Sequence, residues 1–114
     1  MIIRNIDKNT ILAEECRIAG SFLSRFMGLM GKPALNTGCG LLIIPCNSIH
    51  MFFMRFPIDA VFLDRSNKIV FMAEGLKPWR VSKIIKEAQK VIELPSGTVK
   101  SNMTEVGDRL ELQI

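Results

Sequence analysis

The sequence predicts an α+β fold with a mainly antiparallel, barrel-like β-sheet and one or two short helices. Three observations predict this class. Strand-like segments outnumber helix-like ones, the connections between segments are short, and the regular strand–helix–strand alternation of a parallel sheet is not seen. With 114 residues, 48% of them apolar, the chain is expected to form a single domain over residues 1–114.

The N-terminal part is predicted to be extended and then to form one short helix. Residues 1–19 mix β-branched and charged side chains and contain a turn at residues 7–9. The segment "SFLSRFMGLMG" places apolar side chains at helical spacing, which predicts a helix over residues 22–30. Ser21 is the candidate N-cap of this helix.

The middle of the chain is predicted to contain four strands. The apolar runs "CGLLIIPC" and "SIHMFFM" each suit a buried strand, the second over residues 48–54. The segments "IDAVFLD" and "KIVFMA" predict a hairpin, because Asn67 between them tolerates the positive φ of a tight turn. Alternation along the first hairpin strand places Asp59, Val61 and Leu63 on one face.

The C-terminal part contains one ambiguous segment and one clear strand. Residues 81–94 carry apolar side chains at helical spacing, but "KVIELP" within them is equally typical of a strand. The final segment "GDRLELQI" predicts a half-buried strand with Leu110, Leu112 and Ile114 on one face.

Charge and cysteine content narrow the compartment and the partners. Lysine and arginine outnumber aspartate and glutamate by 15 to 11, but they are spread along the chain without interleaved aromatic residues, so nucleic acid is not an expected partner. No signal peptide or membrane span is apparent. We therefore expect a cytoplasmic protein whose three cysteines remain thiols.

The stretch "HMFFMRFPIDAVFLD" combines apolar side chains with charged ones. Asp59 is flanked by hydrophobic residues on its own face, and a buried carboxylate without partners costs several kcal/mol. The expected donors are Arg25, Arg55, His50 and backbone amides freed by Pro57. Such a network acts either as a structural clip or as a functional site, and the sequence leaves both open.

A metal or thiol site is a weaker hypothesis. Cys46 and His50 are four residues apart, and neighbouring methionines could suit a soft ion such as Cu(I). The tight cysteine pairs typical of structural zinc are missing, however. A buried, inert Cys46 thiol is favoured over a nucleophile, and no cofactor is predicted.

Trp79 lies in the polar, proline-containing segment "LKPWRVSK". Either the indole folds back over the core, which is the favoured interpretation, or it lines a binding surface beside Arg80.

Four separated motifs resemble one known family. "RFMGLMG", "NSIHMFFMRFPIDAVFLD", "VIELPSG" and "VGDRLEL" occur in the order seen in the small prokaryotic family called domain of unknown function 192. The resemblance covers the chain from about Ala19 to its end, with Met51 where a small polar residue is expected. It implies a β-rich α+β fold and one neighbourhood containing Arg25, His50, Met54 and Asp59, and it implies no particular activity.

The leading hypothesis is therefore a binding or accessory domain for a small polar or anionic ligand or for a protein partner. Its candidate ligand-binding residues are Arg25, His50, Met54, Asp59, Trp79 and Arg80. One alternative is a hydrolase-like enzyme in which His50 and Asp59 form an acid/base pair. A lesser alternative is Cu or Zn binding through Cys46, His50 and methionine.

Overall fold

A computed structural model describes residues 1–113 as two β-sheets and two short helices. A three-stranded antiparallel sheet has the order β2-β1-β8, and a five-stranded sheet has the order β3-β4-β7-β5-β6. The elements are β1 (Ile2–Asn5), β2 (Thr10–Ala13), β3 (Glu15–Ala19), α1 (Phe22–Met27), β4 (Cys39–Ile43), β5 (Ile58–Leu63), β6 (Ile69–Leu76), β7 (Lys90–Pro95), α2 (Thr98–Ser101) and β8 (Leu110–Gln113).

The predicted α+β class with a mainly antiparallel sheet is confirmed. Five of the six strand pairings involving described residues are antiparallel, and only β3 and β4 run parallel. The barrel-like element of the prediction is not realised as a closed barrel, because the described strands form two separate sheets.

The five-stranded sheet is covered on both faces. Every residue of β5 is buried, and alternate side chains enter two different apolar clusters. Val61 and Leu63 join the three-stranded sheet and α2 in the first cluster. Ala60 and Phe62 belong to the second cluster, which the segments following α1 and β4 cover. Any polar side chain on β5 or β7 is therefore forced into a core.

The predicted turns and cap are confirmed with one adjustment. The hairpin of β5 and β6 turns through Asn67 at φ 63°, and Ser21 caps α1 by accepting a hydrogen bond from the Ser24 amide. The helix ends at Met27 instead of Met30, because Gly28 adopts a φ of 47° that breaks the helical path.

The prediction of a strand over residues 48–54 is wrong. This segment forms only one isolated bridge, between His50 and Val81, and Phe53 has a φ of 61°. Its apolar character comes from a different role, because Ile49, Met51 and Met54 are buried as a lid over the second cluster. Apolar composition alone does not distinguish a buried strand from a buried irregular segment.

The ambiguous region 81–94 contains the strand β7 and no helix. β7 pairs with β4 on one side and with β5 on the other. The hydrogen bonds to these two strands favour a strand here, despite the helical spacing of the apolar residues. At the C-terminus, Leu110 is buried and Leu112 is half-buried on the predicted face, whereas Ile114 lies outside the described residues.

No helix within residues 1–113 is long and apolar enough to cross a bilayer. Cys16, Cys39 and Cys46 are free thiols in the structure.

Asp59 is buried as predicted, but its partners differ from those expected. Its side chain is 1% exposed. It accepts hydrogen bonds from the backbone amides of Gly75 at 2.9 Å, Gly97 at 3.0 Å and Val99 at 3.1 Å. The expected pairing with Arg25, Arg55 or His50 is wrong. Alternation places Asp59 on the α2 face of the sheet, where the backbone supplies every donor.

Replacing Asp59 with alanine is expected to lower the free energy of unfolding by about 3–5 kcal/mol, because three buried amides would lose their acceptor. Urea unfolding followed by circular dichroism measures this loss. Asp64→Ala is the matched control. Asp64 also accepts two backbone hydrogen bonds, from the amides of Ser66 and Lys68, but it lies at the solvated hairpin turn. A loss of about 1 kcal/mol is expected there. Equal losses in the two variants would contradict the buried-acceptor role.

Candidate functional site

A cavity of about 220 Å³ lies between α1 and the five-stranded sheet, on the face opposite Asp59. Residues of α1, the segment after β4, and the middle of β7 form its walls. Its polar and sulfur-bearing lining includes Arg25, Cys46, Ser48, His50, Met54 and Glu93. It is smaller than the roughly 300–1,000 Å³ pockets of drug-sized ligands, so it suits a smaller molecule.

Glu93 is the unexpected member of this site. It lies on β7 between Val91 and the buried Leu94, paired in register with Leu41 and Ala60. Its side chain therefore points into the second cluster and is only 3% exposed. Among the described residues, its Oε1 is the buried side-chain oxygen or nitrogen without a hydrogen-bond partner.

Burial controls the protonation of Glu93. Loss of hydration raises the pKa of its carboxyl from 4.5 to about 8, because the charged form is the one that water stabilises. At neutral pH Glu93 is therefore mainly the neutral acid. A ligand that supplies donors or positive charge would favour the ionised form instead.

Arg25 lies in the last turn of α1 and lines the same cavity. The ion pairs formed by residues 1–113 belong to Lys8, with Glu105 and Asp108, so Arg25 and Glu93 are not paired with each other. Arg25 is half-buried, and its guanidinium forms no ion pair with another described residue. It is thus a free cationic donor at the cavity wall.

His50 is held by backbone groups through both ring nitrogens. Nε2 lies 2.9 Å from the Phe26 carbonyl oxygen, and Nδ1 accepts the Phe52 amide at 3.2 Å. This pattern fits the neutral tautomer with the hydrogen on Nε2. The ring joins α1 to the segment after β4, and neither nitrogen faces Asp59. The predicted acid/base pair of His50 and Asp59 is therefore not formed.

Cys46 also has a structural environment. Its thiol donates to the Ser48 carbonyl oxygen at 3.0 Å, and burial raises the pKa of the Cys46 thiol. A raised pKa disfavours the thiolate that a nucleophile or metal ligand requires. Within residues 1–113 no three His, Cys, Asp or Glu side chains converge as a metal site.

The structure divides the predicted site residues into three places. Arg25, His50 and Met54 line the cavity together. Asp59 lies on the opposite face of the sheet. Trp79 and Arg80 lie on the surface beyond the cavity, where the Met51 amide donates to the Arg80 carbonyl oxygen at 2.7 Å.

The favoured interpretation of Trp79, that it covers the core, is wrong. Its side chain is 59% exposed, at a φ of 68°, and it packs edge-on against Phe53 with 4.8 Å between ring centroids. Phe52 and Phe26 extend this row of rings through His50. The packing of one exposed ring on another replaces the expected packing on the core.

A second, wider groove of about 770 Å³ lies on the other side of α1, between β3 and residues 30–36. Its charged lining residues Glu15, Arg17 and Lys32 are exposed to solvent. It lacks a buried polar group comparable to Glu93, so the smaller cavity is the better-defined site.

Sequence reasoning missed Glu93 because residues 81–94 were ambiguous between helix and strand. On a helix Glu93 would face solvent. On the strand β7 it lies between Leu41 of β4 and Ala60 of β5, which are both apolar. The signal that could have found it is the single acidic residue in the apolar run "VIEL".

The fold and its cavity define a small α+β domain with a buried acidic group that lines a small cavity. The family model described as "Uncharacterized ACR" (DUF192) matches residues 2–112, and the chain belongs to this family. The resemblance inferred from the four motifs is thereby confirmed.

Curated relatives agree with this assignment, and solved structures share the fold. A UPF0127 protein of Pyrococcus furiosus is 38% identical, with 94% of each chain covered. Another from Pyrococcus horikoshii is 37% identical, covering 96% of this chain and 97% of the relative. A Novosphingobium aromaticivorans protein of unknown function matches with a TM-score of 0.78 at 18% identity, over 85% of this chain and 74% of that one.

A Sinorhizobium meliloti protein described as a candidate transcription regulator matches with a TM-score of 0.81 at 24% identity, over 96% of this chain and 89% of that chain. Both structural matches show the shared fold alone.

Glu93 is expected to make stability fall as the pH rises. Between about pH 4.5 and about pH 8 the folded protein keeps a proton that the unfolded chain has released, so the free energy of unfolding decreases by about 1.4 kcal/mol per pH unit. Glu93→Gln removes this contribution and keeps the shape. In urea unfolding, the free energy of unfolding of the variant should rise relative to that of the wild type as the pH increases to about 8. A constant difference would contradict a neutral buried Glu93.

Trp79 is expected to fluoresce as a solvent-exposed indole, because more than half of its side chain is exposed. It is the only tryptophan, so acrylamide quenching reports on it alone. Quenching should approach that of free N-acetyltryptophanamide, and unfolding should change it little. A blue-shifted emission that acrylamide quenches poorly would contradict this placement.

Proposed function

We propose that this chain is a single binding domain for a small polar ligand, held in the cavity between α1 and the five-stranded sheet. The observation that supports the proposal is the unpartnered, 3% exposed carboxyl of Glu93 at the cavity wall. Buried polar groups in proteins are almost always hydrogen-bonded, so this one is a position that a ligand can satisfy.

The remaining lining supports binding of a small molecule. Leu29, Ile43, Ile49 and Met54 supply an apolar wall, and Arg25 supplies a free charged donor. Ligand sites typically combine mostly apolar walls with a few polar groups that fix orientation. In this proposal Arg25 and Glu93 orient the ligand, and His50 holds the wall of the cavity in place.

Binding without turnover is the favoured activity. A catalytic site needs a nucleophile or an acid/base group with a free reactive atom. Both nitrogens of His50 are engaged by the backbone, Cys46 has a raised thiol pKa, and Asp59 lies across the sheet. We also propose a cytoplasmic location, which suits the three free thiols.

Ligand screening by NMR tests this proposal. The probes are a library of small carboxylic acids, amines, amino acids, sugars and nucleosides, each added to ¹⁵N-labelled protein. Binders are expected to shift the amides of Gly28, Cys46 and Glu93, which surround the cavity. Ser48→Phe places a phenyl ring in the cavity wall and should abolish these shifts.

Ser66→Phe is the matched control, because it adds the same side chain at the exposed hairpin turn and should leave binding unchanged. Melting temperatures of both variants verify that they fold. The proposal is refuted if no probe binds at millimolar concentration, or if the shifts persist unchanged in folded Ser48→Phe protein.

A further inference from the structure

We infer that the occupant of this cavity is a small zwitterion, an α-amino acid with a short apolar side chain, whose ammonium contacts Glu93 and whose carboxylate contacts Arg25. This inference rests on the proposed function and adds the chemical class of the ligand. It is carried by two groups of opposite charge type that line one cavity and are not paired with each other.

The two groups lie on different walls of the cavity. Glu93 projects from the middle of a buried strand, while Arg25 projects from α1. Oε1 of Glu93 has no hydrogen-bond partner, and Arg25 forms no ion pair among the described residues. A molecule between them that carries a donor at one end and an acceptor at the other would satisfy both.

Neither a simple anion nor a simple cation satisfies both groups. An anion bound to Arg25 would keep the carboxyl of Glu93 neutral and would supply no donor to its unpartnered oxygen. A lone cation on Glu93 would be repelled by Arg25. A zwitterion places each charge against its complement. Charge-assisted hydrogen bonds of this kind are stronger than neutral ones, and they strengthen in a poorly hydrated cavity.

Access to the carboxyl of Glu93 depends on the end of α1. Gly28, directly after α1, lies over this group, and a Cβ at that position would be 3.6 Å from Oε1. Its φ of 47° favours glycine, so no side chain covers the carboxyl on that side, and main-chain packing alone keeps Oε1 buried. An ammonium group with three donors reaches Oε1 when the end of α1, which has no buried residue, moves aside.

The size and lining of the remaining space limit the ligand further. A volume of about 220 Å³ accommodates a small metabolite but not a nucleotide-sized one. Beyond the two charged groups the walls are mainly apolar, formed by Leu29, Ile43, Ile49 and Met54. A short aliphatic side chain fits this surface without leaving buried polar atoms unpaired.

Isothermal titration calorimetry with L-valine tests the inference, with isobutylamine and isovalerate as probes that lack its carboxylate and its ammonium. L-valine is expected to bind at least about tenfold more tightly than either, because each probe loses one charge-assisted contact. Glycine and L-methionine extend the comparison to smaller and larger side chains. Equal affinity for L-valine and either single-charge probe would overturn the inference.

Arg25→Gln and Glu93→Gln are each expected to weaken L-valine binding by at least about tenfold. Arg65→Gln is the matched control, because Arg65 is an exposed arginine at the hairpin turn and should leave affinity unchanged. Arg25→Gln should weaken isovalerate but not isobutylamine, and Glu93→Gln should do the reverse. Unchanged affinity for L-valine in either site variant would overturn the inference.

Proton release gives an independent readout. Since Glu93 is mainly neutral in the free protein at neutral pH, pairing with an ammonium should release close to one proton per ligand. Titrations in buffers of different ionisation enthalpy measure this number. Glu93→Gln should release none, a change that a purely structural role for Glu93 would not produce.

The results separate this inference from the proposed function. If sugars, nucleosides or monocarboxylates bind in the cavity and amino acids do not, the inference of a zwitterionic ligand is wrong, whereas the proposed binding function is supported. If no probe shifts the cavity amides, both are wrong.

Discussion

The structure depends on burial of both faces of the central strands β5 and β7. On such strands each polar side chain must enter one core or the other, and Asp59 and Glu93 enter opposite ones. Asp59 meets three backbone amides and becomes part of the scaffold. Oε1 of Glu93 has no hydrogen-bond partner among the described residues, and Glu93 lines a cavity instead. The same alternation thus places a carboxyl with three backbone partners on one face and a cavity-lining carboxyl with an unpartnered oxygen on the other.

The sequence predicted those parts of the fold that depend on local chemistry. The Ser21 cap and the Asn67 turn were correct because a side-chain acceptor and a tolerated positive φ are local properties. The predicted strand over residues 48–54 was wrong, because these residues are apolar through burial and not through strand pairing. The choice between helix and strand at β7 required the neighbouring ladders, which are formed by residues distant in sequence.

The candidate site was predictable only in part. Arg25, His50 and Met54 come from three separated segments and line one cavity, as the family motifs implied. The period of two on β5 already placed Asp59 with Val61 and Leu63, but the sequence could not say which core that face would meet. Glu93 could not be identified before β7 was known to be a strand. The sequence therefore grouped Arg25 with Asp59, whereas the carboxyl that lines the cavity with Arg25 is that of Glu93.

Helix α1 has no buried residue, and Phe22 on it is 79% exposed. An isolated helix of six residues is marginal in water, so α1 persists through its cap and through the contact between His50 and the Phe26 carbonyl. The cavity therefore has one rigid wall, the sheet, and one weakly anchored wall. Segments with few buried contacts open at a small fraction of the global unfolding cost. Entry and exit from the cavity would then proceed by local fraying of this wall, with the β-ladders left intact.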